Sequence, residues 1–211
     1  MLLTESAMAM GGNLYMYCYN NPIMFRDDNG YGFFTTLLVM TIAGIIIGGT
    51  MKGVSAYNDG ARGWELAGAI GAGALTGGAL GAAFALGGIA GASVKAGVGI
   101  LGLSVGKTVG LTLGIALGVN LAAGMGGYAI EAGTNPSMQF NAGRMVMAGF
   151  AQTGKALVNY TLGGMMAASG VWKIGQKLPL GTTISDLIAR TAARQMLTFI
   201  PFTVINGMFG F

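Results

Sequence analysis

Glycine recurs at every fourth position over one stretch of this chain: Gly102, Gly106, Gly110, Gly114 and Gly118. Residues four apart share one face of a helix, so the ladder is a groove without side chains that a second backbone can approach closely. A shorter ladder, Gly73, Gly77 and Gly81, lies upstream, followed by Gly87 and Gly91. In water this pattern is unfavourable, because each glycine destabilises a helix by about 0.8–1 kcal/mol relative to alanine. In lipid, packing rather than water exclusion drives helix pairing, and small residues four apart favour it. The ladders are therefore expected to be helix-pairing faces. Gly102–Gly118 has two candidate partners, the Gly73-Gly77-Gly81 face and a second copy of the same helix. A flexible glycine-alanine spacer is the competing reading, but Leu75, Phe84, Ile89, Leu103, Leu111 and Ile115 interleave with the glycines and argue against it.

Uncharged length points the same way. Phe33 to Met51 carries no charge, nor does Leu66 to Val94, and Val98 to Ile130 is interrupted only by Lys107. Runs of about 17–25 apolar residues suffice to cross hydrocarbon, and Thr108 to Ile130 is still long enough if Lys107 marks an interface. For Phe33–Met51 a buried core helix is the alternative, and Ile45-Ile46-Ile47 also permits a buried strand. Val54 to Glu65 reads as a turn-rich loop containing Asn58-Asp59-Gly60, with Trp64 suited either to a membrane interface or to a core. Lys95-Ala96-Gly97 reads as a turn, and Glu131 to Arg144 as a second polar break. Met145 to Gly170 reads as an amphipathic or core helix, being less apolar than the other runs.

Composition narrows the function classes. Charged residues make up 9% of the 211 and glycines number 40, which leaves little from which to build the charged surface of a soluble domain. The net charge of +4 is spread thinly rather than clustered. No nucleic-acid footprint is formed, and attraction to anionic lipid is the better use of the sign. Histidine is absent, which removes the Ser-His-Asp and Cys-His arrangements and histidine-containing zinc sites. The lone Cys18 allows no intrachain disulfide. Gly106-Lys107-Thr108 invites a phosphate-loop reading, but Leu101 stands where that motif needs its first glycine. No enzyme site, metal site or cofactor is expected. Met1 to Met10 contains Glu5 and no lysine or arginine, so no secretory signal is read there.

The first thirty residues have a different character. Leu14/Met16 and Tyr15/Tyr17 alternate as in a short strand, while Asn20-Asn21-Pro22 and Asp27-Asp28-Asn29-Gly30 are turn chemistry. Gly11-Gly12, Asn13-Leu14-Tyr15, Tyr17, Asn20-Asn21-Pro22, Asp27 and Gly30 together resemble the end of an RHS (YD-repeat) core domain. The resemblance covers only this short segment. It implies a β-shell enclosing a variable C-terminal domain, often a toxin, released by aspartates at the end of the core. Asp27 matches the second cleavage aspartate, and Glu5 stands where the first would be. Asp28 replaces the family's proline and Glu5 to Met8 replaces its Asp-Pro-x-Gly, so efficient self-cleavage is not expected. On the bland reading both carboxylates belong to turns.

At the other end, Gly181 to Ile200 has the pattern of an amphipathic helix. Thr183 and Asp186 are at capping-box spacing, Arg190 and Arg194 share one face, and Pro201 ends the helix. The chain thus reads as mostly α: glycine-zipper helical hairpins compatible with a membrane, behind a short β-strand and turn piece. Its expected divisions are residues 1–31 (RHS-like end), 32–180 (glycine-rich apolar helices) and 181–211 (amphipathic helix and apolar tail). The expected function is that of a membrane-active, inserting or pore-forming, C-terminal domain of an RHS-type toxin-like protein, membrane-associated and secreted or delivered within a larger protein. The alternative is a non-toxic hydrophobic plug or translocation segment. The expected partners are a lipid bilayer, a second copy of the chain, an RHS shell and an immunity protein, and no nucleic acid.

Overall fold

A computed structural model describes residues 31–100 and 102–169 of the chain. Four helices follow one another: α1 (Tyr31–Asn58), α2 (Gly63–Ala96), α3 (Val105–Thr134) and α4 (Ala142–Ser169). No strand occurs among the described residues. The strand-and-turn segment with Glu5 and Asp27 lies outside the described residues, as do the helix expected over Gly181–Ile200 and the tail after it.

Helix α2 is the hub. It packs against each of the other three helices, and α3 also packs against α4. Neighbours in sequence run antiparallel, so α2 and α4 are parallel. The turns α1–α2 and α3–α4 share one end of the bundle, and the α2–α3 turn lies at the other.

The contact between α1 and α2 is made by backbone. A methyl group added at Gly77 would strike the Gly44 carbonyl, one at Gly73 the Gly48 carbonyl, and one at Gly81 the Met40 carbonyl. The short ladder is therefore filled by α1 and is not available to Gly102–Gly118. Further along α2, Gly87 and Gly91 meet the carbonyls of Tyr160 and Gly164, and Gly163 of α4 meets Phe84. Towards the start of α2, Gly68 lies against Thr134, while the Gly127 face of α3 lies on Thr76 and Ala72. Side chains fill what the glycines leave: Met40, Ala43, Phe84, Ala85 and Ala167 form one cluster, and Leu86, Ile89, Ala116, Ala156 and Tyr160 belong to a second.

The turns follow local chemistry. Gly97 caps α2 in the left-handed region at φ 68°, its N–H donating to carbonyls of the last turn. Ser104 caps α3, its hydroxyl accepting from the Lys107 N–H at 3.5 Å, a long bond by ordinary criteria. At the opposite end Arg62 donates from Nη1 to the carbonyls of Tyr57 and Ala61 at 2.8 and 2.7 Å. Its guanidinium also stacks 3.9 Å above the Tyr57 ring centroid. Asn141 Oδ1 accepts from the Arg144 N–H at 3.1 Å at the start of α4.

Two expected loops are much shorter than read. Of Val54–Glu65, only residues 59–62 leave the helices, and of Glu131–Arg144 only residues 135–141 do. Turn-favouring composition extends into the last turn of α1 and of α3, where intrahelical bonding continues because nothing there forbids it.

The glycine contacts predict asymmetric mutant effects. Gly77→Leu would meet backbone rather than a movable side-chain tip, and overpacking of this kind typically destabilises by about 1–3 kcal/mol. Gly110→Leu meets open space and gains helix propensity, up to about 0.8 kcal/mol. Unfolding in mild detergent should separate the two variants in that order. Equal stability would contradict the packing.

Candidate functional site: a polar seam inside an apolar bundle

The most deeply buried polar side chains lie on the inward face of α3, with further buried ones beside them on α4. Thr108, Thr112 and Asn120 are 0–1% exposed, and Gln152 and Asn159 are also buried. On α3 the series Thr108, Thr112, Ala116, Asn120 and Gly124 advances four residues at a time and is buried throughout. Gly106, Gly110, Gly114 and Gly118 sit two positions out of step, about 200° around the helix. They face outward, with no atom within 4 Å of an added Cβ. Gly102 lies before the helix begins, at φ 74°, so it is a turn residue and not a rung. The larger ladder consequently has four rungs and no neighbour among the described residues.

Each buried polar side chain in the seam makes at least one hydrogen bond. Asn120 Nδ2 donates to the Ala79 carbonyl of α2 and to the Ala116 carbonyl one turn back, both at 2.9 Å. Its Oδ1 accepts from Gln152 Nε2 at 3.2 Å, and that same nitrogen donates to the Thr76 carbonyl at 2.9 Å. This knot joins α2, α3 and α4. Nearer the α2–α3 turn, the hydroxyls of Thr112 and Tyr160 are 2.8 Å apart. Tyr160 also donates to the Val109 carbonyl at 3.1 Å, and Thr108 Oγ1 accepts from the Ile100 N–H at 3.1 Å. In a medium without water, unmet donors and acceptors are expensive. Turning them inward and pairing them resolves that.

The outward surface is the converse. On α1, Leu38, Ile42, Ile45 and Ile46 are 41–57% exposed. Val119 of α3 and Phe150 and Leu157 of α4 are exposed as well. Between α1 and α3, Thr41, Ile45, Leu75, Gly78, Ala82 and Val119 are among the residues lining an apolar groove of about 670 Å3 over α2.

Apart from Lys155 in the middle of α4, charge gathers towards the ends. Lys52 of α1 forms an ion pair with Glu131 of α3, beside a cleft of about 260 Å3 also lined by Ser55, Asp59, Glu65, Thr134 and Asn135. Trp64 is 76% exposed at this end of α2, in keeping with an interfacial ring. Lys95 and Lys107 flank the opposite turn. Among the described residues no group of three or more His, Cys, Asp or Glu could hold a metal ion.

Sequence reasoning singled out the glycine series of α3 and passed over the Thr-Thr-Ala-Asn series two positions away. The signal was present: Asn120 and Thr112 stand inside an otherwise apolar span at the same four-residue spacing. No family model, no curated protein and no solved structure matches this chain.

The knot is testable by a double-mutant cycle. Asn120→Ala and Gln152→Ala should be coupled by roughly 0.5–1.7 kcal/mol, the range found for hydrogen bonds between membrane helices. Additive effects in detergent unfolding would show that the two amides do not act together.

Proposed function

We propose that this bundle is a membrane-embedded, membrane-active domain that inserts into a bilayer and self-associates to breach it. One observation carries the reading: large apolar side chains stay exposed along the outside of the bundle, while the polar side chains of the seam are buried and hydrogen-bonded inside it. Three helices, Thr36–Asn58 as the apolar part of α1, then α2 and α3, are long and apolar enough to cross a membrane. That arrangement is compatible with membrane association. A charged, soluble exterior would require the opposite distribution.

Self-association would use the outward ladder Gly106-Gly110-Gly114-Gly118. Its intrachain candidate partner is occupied by α1, which leaves a second copy as the partner of matching shape. Successive rungs drift about 40° around the axis, so two such helices would cross at an angle, near the −40° common for glycine-ladder pairs. The toxin-like assignment rests on the RHS resemblance of residues 11–30 and is an analogy of context. It brings with it an RHS shell and an immunity protein as proposed partners, and cell killing without damage to nucleic acid as the expected phenotype. A hydrophobic plug within such a shell would use the same apolar surface without breaching a bilayer, and vesicle leakage separates the two.

Two measurements test this. The chain should remain with membranes through carbonate extraction; recovery as a soluble monomer without detergent would end the spanning reading. In dye-loaded vesicles the chain should cause leakage and give crosslinked oligomers. Gly110→Leu should reduce both while leaving the bundle folded, and Leu111→Ile should alter neither. Full leakage and crosslinking by Gly110→Leu would remove the ladder from the mechanism.

A further inference from the structure

Helix α4 is the least apolar of the four and is not among the helices that qualify as spans by composition. Its packing nevertheless fixes its depth. Gln152 is bonded to Asn120 and to the Thr76 carbonyl, and Tyr160 to Thr112 and to the Val109 carbonyl. Asn120 in turn bonds the Ala79 carbonyl. Ala79 and Asn120 are the middles of α2 (Gly63–Ala96) and α3 (Val105–Thr134). Gln152 of α4 therefore lies level with the centre of two spanning helices, Tyr160 lies about two turns further along, and Lys155 lies less than one turn from Gln152.

Only two charged residues occur in α4, Arg144 and Lys155, and no carboxylate does. Neither is in an ion pair among the described residues, and both are exposed. They are eleven residues apart, three turns plus about 20°, so they share one flank about 16 Å in length. The exposed apolar residues Met147, Phe150, Leu157 and Met165 lie roughly 80–160° away around the same helix. Of the charged residues on the other helices, Glu65, Lys95, Lys107 and Glu131 stand towards helix ends, and Lys52 of α1 is near enough to repel the Lys155 ammonium. A lysine stem lets its ammonium snorkel a few ångströms. From the centre of a core about 30 Å thick it falls well short of either surface. An uncompensated charge at that depth marks a water-filled path or a partner.

We propose that α4 crosses the bilayer with the other three helices and turns its Arg144–Lys155 flank to a water-filled path that admits small inorganic anions. This rests on the spanning reading given above. The occupant follows from charge: two cations, no acid on the helix, and an apolar flank for lipid on the other side. Leu157 is the internal control. It is exposed at the same depth, two residues away and about 200° around the helix.

The experiment replaces Cys18 by Ser, introduces Lys155→Cys or Leu157→Cys, and reconstitutes each full chain in phosphatidylcholine–phosphatidylglycerol vesicles. Charged, membrane-impermeant thiosulfonates are then added. Lys155→Cys should react roughly tenfold or more faster than Leu157→Cys, as a wet site does against a lipid-facing one. In a chain that keeps Lys155, a cysteine one turn away on the same flank, at the exposed Ala151 (Ala151→Cys), should favour the anionic reagent over the cationic one relative to a free thiol in solution, and Lys155→Gln should diminish that preference. Two slow cysteines would mean that lipid, or the chain's own C-terminal segment, covers the flank. Two fast cysteines would place α4 outside the bilayer. Either result overturns the proposal, as does fast labelling of Ala151→Cys, with Lys155 present, that shows no preference for the anion. Dye leakage reads the breaching function separately: a chain that leaks dye but labels neither cysteine keeps that function and loses the wet flank.

Discussion

Close approach of backbones to α2 is the constraint on which everything else depends. A helix can bring the backbones of several neighbours close at once only where its own side chains are small, and the sequence of α2 is built for that. Gly73, Gly77 and Gly81 admit α1; Gly87 and Gly91 admit α4; Gly68 and Ala72 admit α3. Glycine is a poor helix former in water. In lipid, backbone hydrogen bonds would have no competitor, and the helix would survive a composition that disfavours it in water. Close packing then supplies the attraction that the hydrophobic effect cannot provide between helices already in an apolar medium.

Packing by small residues is permissive about register, because one glycine groove resembles the next four residues along. The amide knot removes that freedom. Asn120 reaches a carbonyl of α2 and Gln152 reaches both α2 and α3. A slip of one turn would leave these groups without partners in the interior. Glycine contacts thus set distance, and the buried amides and hydroxyls set alignment. The Lys52–Glu131 pair adds a tie between α1 and α3 near the surface, where exposed ion pairs contribute about 0–1 kcal/mol.

Much of this architecture was legible in the order of residues. The uncharged runs marked three helices, and Lys95-Ala96-Gly97 marked the end of α2, where Gly97 adopts a left-handed conformation. Helix ends were less legible: α1 continues to Asn58 and α3 to Thr134 through residues whose composition suggests turns. Which face of α3 points inward was the harder question. Two four-residue series run along that helix, and spacing alone treats them alike. Burial distinguishes them, because Thr108, Thr112 and Asn120 must be satisfied whereas glycine tolerates lipid or a partner equally well. The depth of α4 was not legible, since its composition is that of an ordinary amphipathic helix. Only the bonds of Gln152 to α2 and α3 place Lys155 near the level of the middles of those helices. The RHS-like segment and the carboxylates Glu5 and Asp27 lie outside the described residues, so that part of the reading stands on sequence.

The central claim is that this bundle faces lipid with its apolar exterior. Ile46 on α1 is 57% exposed and tests it directly. With Trp64 and Trp172 replaced by Phe, an Ile46→Trp variant should emit at short wavelength in vesicles and be quenched by lipids brominated along the acyl chain. Emission at the wavelength of a water-exposed indole, quenched by aqueous iodide and not by the brominated lipid, would contradict the account.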